Sequence, residues 1–272
     1  DDDGRGYGPY KIKCTMWREG KNVVLDWEGT DPQAVGSINF YLNENMLKMF
    51  WGIYMIMVFD PAILFNDGFY DLVDVRIPQG TLLKPNFPAA LSCRTHALGR
   101  IFDTFAALLG QKSPEFLAGA GFSSSPHFMY SGTNSRGEWY QLYQIGFGGI
   151  PARPHDDGPD GHSMWPSFTN VPQEYLEAYF PLRIEKHETV ADTGGAGVFR
   201  GGNALRVDYC FLEDGEISIH DDRWLTYPWG VNGGDPGQRS IKVMYRGGYE
   251  TGKVEYHESK CDNIKVSKGD IL

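Results

Sequence analysis

Thr95-His96-Ala97-Leu98-Gly99-Arg100-Ile101-Phe102-Asp103-Thr104-Phe105-Ala106-Ala107-Leu108-Leu109 decides the fold class. Leu98, Ile101, Phe102, Phe105, Leu108 and Leu109 recur at i, i+3 and i+4, which lines one face of an α-helix with apolar side chains. Pro114 closes the pattern, because proline has no N–H to continue a helix. Upstream, residues 40–59 read as a second helix, stopped by Pro61. Between Met46 and Phe59 only Lys48 and Gly52 interrupt the apolar run. So apolar a helix is expected to be covered on nearly every side. Either it or the aromatic surface of residues 122–139 is expected to pack on further protein, an N-terminal half or a partner, and a piece expressed alone is expected to aggregate.

Strands surround these helices. Ile12, Cys14 and Met16 alternate with polar residues up to Glu19-Gly20-Lys21, and Val23, Leu25 and Trp27 alternate back, which predicts a β-hairpin. Residues 119–149 are rich in glycine, serine and aromatics and predict strands and turns. Residues 154–170 have no periodicity and read as an exposed or site-lining loop. Pro172 starts a short helix over residues 173–178. Beyond it, a hairpin turning at Asp214-Gly215 and a strand pair through residues 241–256 are expected. The fold class is therefore α+β: β-rich, with two buried central helices and a C-terminal β-rich portion. A subdivision into 1–150 and 151–272 is the natural place to cut it.

Composition excludes several functions. The formal charge of −10, without a Lys/Arg cluster, argues against nucleic acid, whose phosphates need a basic face. No apolar stretch approaches the roughly 20 residues of a membrane span. Cys14, Cys93, Cys210 and Cys261 are widely spaced and read as reduced thiols, which fits the cytosol. The opening Asp1-Asp2-Asp3-Gly4-Arg5-Gly6 reads as the middle of a longer polypeptide.

Three segments carry polar groups suited to chemistry. Pro154-His155-Asp156-Asp157-Gly158-Pro159-Asp160-Gly161-His162 brings two imidazoles and three carboxylates together, a set suited to binding a divalent cation or to proton transfer, although an exposed acidic turn is the ordinary alternative. Its spacing fits no zinc pattern. Asp192-Thr193-Gly194-Gly195-Ala196-Gly197-Val198-Phe199-Arg200-Gly201-Gly202 offers glycine amides and one guanidinium to an anion, or else forms tight turns between strands. It is neither a phosphate-binding loop with its lysine nor a dinucleotide fingerprint. Asp31, Asn39 and Arg94 are candidate substrate contacts at helix entries, where capping is the plainer role. His96 suits a core histidine, and Asp221-Asp222-Arg223 a structural ion pair. Ser123 to Ser125 have no recognisable base in the neighbouring sequence, and no nucleophile motif is present.

Taken in order, these segments resemble the hydantoinase B/oxoprolinase family. The resemblance rests on Asp26-Trp27-Glu28-Gly29-Thr30-Asp31-Pro32-Gln33 with Asn39, and on Pro78-Gln79-Gly80-Thr81-Leu82-Leu83. It continues through Gly148-Gly149 with Asp157-Gly158 and His162, then Pro172 to Pro181, Asp192 to Gly202, Asp222-Arg223, and Pro228-Trp229-Gly230. It implies the C-terminal half of one component of a multi-subunit, cytoplasmic, ATP-dependent enzyme. ATP with Mg would sit on a hydantoinase A-like partner, and a divalent metal, zinc or manganese, in the chain's own N-terminal half. The carboxylases of the family would add a small third subunit.

The resemblance implies either carboxylation of a ketone of the acetone or acetophenone type, the slightly favoured reading, or hydrolysis of a hydantoin or lactam. The Pro-Trp-Gly form resembles the hydantoinase and carboxylase branch more than the oxoprolinases, and the aromatics Phe40, Tyr41, Phe50, Trp51, Phe147 and Trp165 would suit an aromatic ketone, although core packing is their commoner role. A non-catalytic scaffold is the third possibility. His162 and Asp157 are the candidates for proton transfer. Arg200 with the amides of Gly194 and Gly195 is the candidate for holding an oxyanion or carboxylate.

Overall fold

The computed structural model describes residues 2–58, 60–113, 118–163 and 168–272. They form two compact units, Asp1–Gly119 and Ala120–Leu272. The division falls at 119 rather than 150, because the strands just after it pair only with strands further downstream.

In the first unit, β1 (Thr15–Glu19) and β2 (Asn22–Asp26) make the expected hairpin, and β3 (Val73–Arg76) adds to β2 in parallel. Helix α1 covers Glu44–Val58, a short helix α2 covers Asp67–Tyr70, and α3 covers Arg94–Lys112. The start of α1 corrects the sequence reading. Phe40 and Leu42 are extended, their amides donating to the carbonyls of Leu82 and Leu83. Asn43 then accepts from the Met46 amide at 2.8 Å, as an N-capping side chain does. Nor is α1 covered all round. Leu47, Trp51 and Tyr54 are buried, Met46 is exposed, and Met49, Phe50, Ile53 and Met55 are half-buried. Its buried face meets α3 through aromatic contacts. Trp51 and Phe105 lie edge-on at 4.8 Å, and Tyr54 stacks on Phe102 at 5.9 Å. Trp27 closes the cluster against Phe105 at 6.0 Å. Phe50 and Trp51 are thus core packing; Trp165 lies outside the described residues.

The second unit is built on two sheets. β4 (His127–Thr133), β5 (Trp139–Ile145), β8 (Gly215–His220) and β11 (Lys260–Val266) form an antiparallel sheet in the order β11-β8-β4-β5. β6 (Leu182–Val190) pairs with β7 (Ala204–Phe211), and β9 (Val243–Tyr245) with β10 (Val254–Tyr256). The chain end joins these two pairs. Leu272 exchanges backbone hydrogen bonds with Tyr209, and Ile271 with Tyr245. The strand pair expected over 241–256 is therefore present. The hairpin at Asp214-Gly215 is not: β7 pairs with β6, and β8 crosses to insert between β4 and β11. Tyr130 and Tyr140 hold that crossing, their hydroxyls donating to the carbonyls of Glu213 and Asp214.

Successive strand residues face opposite sides of a sheet. Phe128, Tyr130, Leu142 and Ile217 point into a core shared with Leu182, Tyr209, Phe211 and Leu176 of helix α4 (Gln173–Tyr179). His127, Met129, Ser218 and His220 therefore lie on the other face.

All four cysteines are free thiols. Among the described residues no helix is long and apolar enough to cross a membrane.

Candidate functional site

The candidate residues fall into both units. In the first, Asp31 accepts from the Lys11 amide at 2.7 Å, and Asn39 is wholly buried. The Asn39 amide accepts from Ala34 N and donates to the carbonyls of Ala34, Gly36 and Ala90, so every side-chain group it has is spent on the backbone. Arg94 is exposed at the start of α3, and His96 is buried within it.

In the second unit the acidic loop and the glycine-rich loop are packed backbone against backbone. Gly202 N donates to Ile150 O at 2.8 Å, Ile150 N to Pro159 O at 3.1 Å, and Gly158 N to Arg200 O at 2.8 Å. The glycines make this approach feasible. A β-carbon on Gly149 would lie 2.6 Å from the Gly202 carbonyl carbon, one on Gly194 2.6 Å from that of Gly201, and one on Gly158 2.7 Å from Gly202 N. Close backbone contact, more than a displayed row of amides, is what this glycine pattern secures.

The charged side chains tie the same loops. Arg200 grips Asp160 with two nitrogens, at 2.6 and 3.3 Å, and its own amide donates to Asp157 at 2.9 Å. The Arg200 guanidinium holds the Asp160 carboxyl below the usual range, helped by the Asn203 amide. Arg200 thus already carries a carboxylate of its own chain. His162 is exposed, and its backbone exchanges hydrogen bonds with Gly148. Its Nδ1 lies 2.8 Å from the Ser163 carbonyl. A carbonyl only accepts, so Nδ1 carries the proton and Nε2 presents the lone pair of the neutral ring.

Gly148 continues from β5, so this knot sits at one end of the four-stranded sheet. The same end gathers a buried polar cluster whose histidines, His127 and His220, the sequence did not single out. Ser125 Oγ and His127 Nε2 share a hydrogen bond at 3.2 Å, although no base was recognised beside these serines. His127 faces His220 across β4 and β8, with ring centroids 6.5 Å apart. His220 Nε2 donates to Asp262 at 2.7 Å. Ser124 donates to Asp221 at 3.2 Å. The expected ion pair at Asp222 forms with Lys260, at 3.0 Å and buried, while the buried Arg223 donates to Gly121 O. The signal was available: residues i and i+2 of an extended chain share a side, and Ser125-Pro126-His127 has that spacing. Among the described residues no group of three or more His, Cys, Asp or Glu side chains is placed to hold a metal ion.

The molecule is thus a strand-rich α+β chain whose two polar loops knot at the end of a sheet, and comparison with known proteins gives its family. The hydantoinase B/oxoprolinase model matches residues 1–272, and the chain belongs to that family. It is 26% identical to the B component of a putative D-/L-hydantoinase from Pseudomonas sp. strain NS671, over 100% of this chain and 46% of that protein. It is also 26% identical to the beta component of the Pseudomonas jessenii caprolactamase, over 76% of this chain and 37% of that one. Among solved structures, an acetone carboxylase in its nucleotide-free form superposes with a TM-score of 0.82 at 18% identity, covering 96% of this chain and 40% of that one. The chain spans less than half the length of these relatives.

Proposed function

We propose that this chain is part of the B-type component of an ATP-dependent enzyme that opens a cyclic amide. The observation that carries this reading is the run of named sequence relatives. A hydantoinase component, a 5-oxoprolinase of Pestalotiopsis fici at 26% identity and a caprolactamase component are each named for a ring containing a C(=O)–N bond. In this reading ATP sits on a hydantoinase A-like partner, and a divalent metal in an N-terminal half of this component.

Opening such a ring adds water to the carbonyl carbon and a proton to the departing nitrogen. His162 is our candidate for moving one proton, because its tautomer leaves Nε2 as a base on an exposed ring. Asp157 and Arg200 hold the loop that carries it. The amides of Gly194 and Gly195, half-buried beside them, are our candidates for binding a carbonyl oxygen.

ATP turnover by the assembled complex, with hydantoin, 5-oxoproline or caprolactam and no bicarbonate, tests the reading. Turnover that answers to one of these rings supports it. Fixation of labelled bicarbonate into acetone or acetophenone, with no response to amides, replaces it with ketone carboxylation, the activity of the acetone carboxylase whose fold this chain shares. His162→Ala that assembles and turns over normally takes His162 out of the proton transfer.

A further inference from the structure

Three consecutive serines lie buried at the sheet end. Ser123, Ser124 and Ser125 are 0%, 1% and 2% exposed. Ser124 is engaged by Asp221 and Ser125 by His127, but the Ser123 hydroxyl has no hydrogen-bond partner among the described residues. Ser123 also takes a left-handed backbone, φ 45°, which an L-residue with a side chain rarely adopts. Arg223, whose side chain bonds to Gly121 two residues before Ser123, does the same at φ 62°. A strained backbone and an orphaned buried hydroxyl are both features that cluster where a ligand supplies the missing partner. The segment is also adjacent to the loops already described. The Phe122 amide donates to Gly149 O and the Gly146 amide to Pro126 O, while Gly148 bridges to His162.

We propose that Ser123, Ser125 and His127 form a second half of the reaction site, which binds the substrate carbonyl oxygen and delivers the proton to the departing nitrogen. The inference rests on the amide-opening reading above. The Ser123 hydroxyl donates to the carbonyl oxygen. As water bonds to the carbonyl carbon and the C–N bond breaks, its electron pair stays on nitrogen. Nitrogen takes the Ser125 hydroxyl proton, and Ser125 takes the Nε2 proton of a cationic His127, which is left neutral. The proton lost by water goes to the separate base, His162.

Among the described residues, Tyr143 of β5, with ring centroids 5.4 Å apart, and His220 of β8 with its Asp262 partner on β11 face His127. Lys260, opposite His220, is already paired with Asp222, and Asp221 with Ser124.

The test uses the full-length polypeptide assembled with its ATP-binding partner, with hydantoin, 5-oxoproline and caprolactam as probes. Ser125→Ala and His127→Gln are expected to lower kcat at least 100-fold with KM changed less than threefold, and Ser123→Ala to lower kcat about tenfold. If His127→Gln does not fold, Ser125→Ala decides, since it removes one oxygen from a wild-type scaffold. A folded Ser125→Ala with kcat within threefold of wild type overturns the inference alone. A wild-type complex inert toward all three rings overturns the functional reading and the inference with it.

Discussion

Gly149→Ala separates the two meanings that a glycine-rich loop can have. A β-carbon at this position would lie 2.6 Å from the Gly202 carbonyl carbon, against the 3.4–4 Å of ordinary contact. The two backbones must therefore part by about 1 Å. The bonds joining the two backbones are Gly202 N to Ile150 O and Gly158 N to Arg200 O, both at 2.8 Å. Moved by that amount, each passes beyond hydrogen-bond range. Losing a buried backbone bond costs about 1–3 kcal/mol when the freed groups stay out of water. Breaking both costs about 2–6 kcal/mol, a large part of the 5–15 kcal/mol typical of a folded domain.

The assay is urea unfolding of the full-length polypeptide, followed through the second unit's tryptophans, with Gly137→Ala beside it. Gly137 has φ +78° and nothing within 4 Å of its would-be β-carbon, so its alanine carries only the left-handed penalty of about 1–2 kcal/mol. If Gly149→Ala is no less stable than Gly137→Ala but loses activity, the backbone-packing argument is refuted and the glycines serve a ligand.

Three further outcomes follow from the same geometry. Arg200→Ala should change stability little by chemical denaturation, because its pair with Asp160 is largely exposed. Since Asp160 is held below its ordinary pKa, what stability it adds is present above about pH 4 and lost below, and this acid dependence should weaken in the variant. Lys260→Met should be destabilising, because it removes a cation paired with the buried Asp222, and a double replacement by apolar residues should recover part of the loss in a double-mutant cycle. Burial, opposed by nearby Glu255, holds His257 below the usual histidine range. Its neutral form belongs to the fold, so stability should fall as pH drops below about 6.5, and His257→Gln should flatten that slope in a pH series of melting temperatures.

Local pattern carried the elements that local physics decides. Helix α3 was legible from its apolar periodicity, and the first hairpin from alternation around Gly20. The start of α1 was not, because Phe40 and Leu42 continue the apolar run although their backbones pair with Leu82 and Leu83. The Asn43 cap was the available signal. Asp214-Gly215 looked like a hairpin turn because a turn sequence fixes a change of direction but not a partner. The partner of β8 is β4, some 80 residues earlier, and that choice is made by long-range packing. The glycines of residues 192–202 were visible as unusual. Their purpose needed the second backbone, residues 149–159, to be in place against them.

The same distinction bears on where chemistry sits in the second unit. The residues most conspicuous in sequence, Asp157, Asp160 and Arg200, satisfy one another and leave little charge to offer. The inconspicuous serines do the reverse. Ser123 and Arg223 each accept a backbone conformation costing about 1–3 kcal/mol, and the Ser123 hydroxyl adds a desolvation cost of similar size. Stability alone gives no reason for these features, since glycine at 123 would remove both the strain and the orphaned hydroxyl. A cost that packing does not return within the described chain points to a ligand or a reaction step that does return it. By that criterion the end of β4 and β8, where Ser125 meets His127, has the stronger claim to chemistry than the acidic loop beside it.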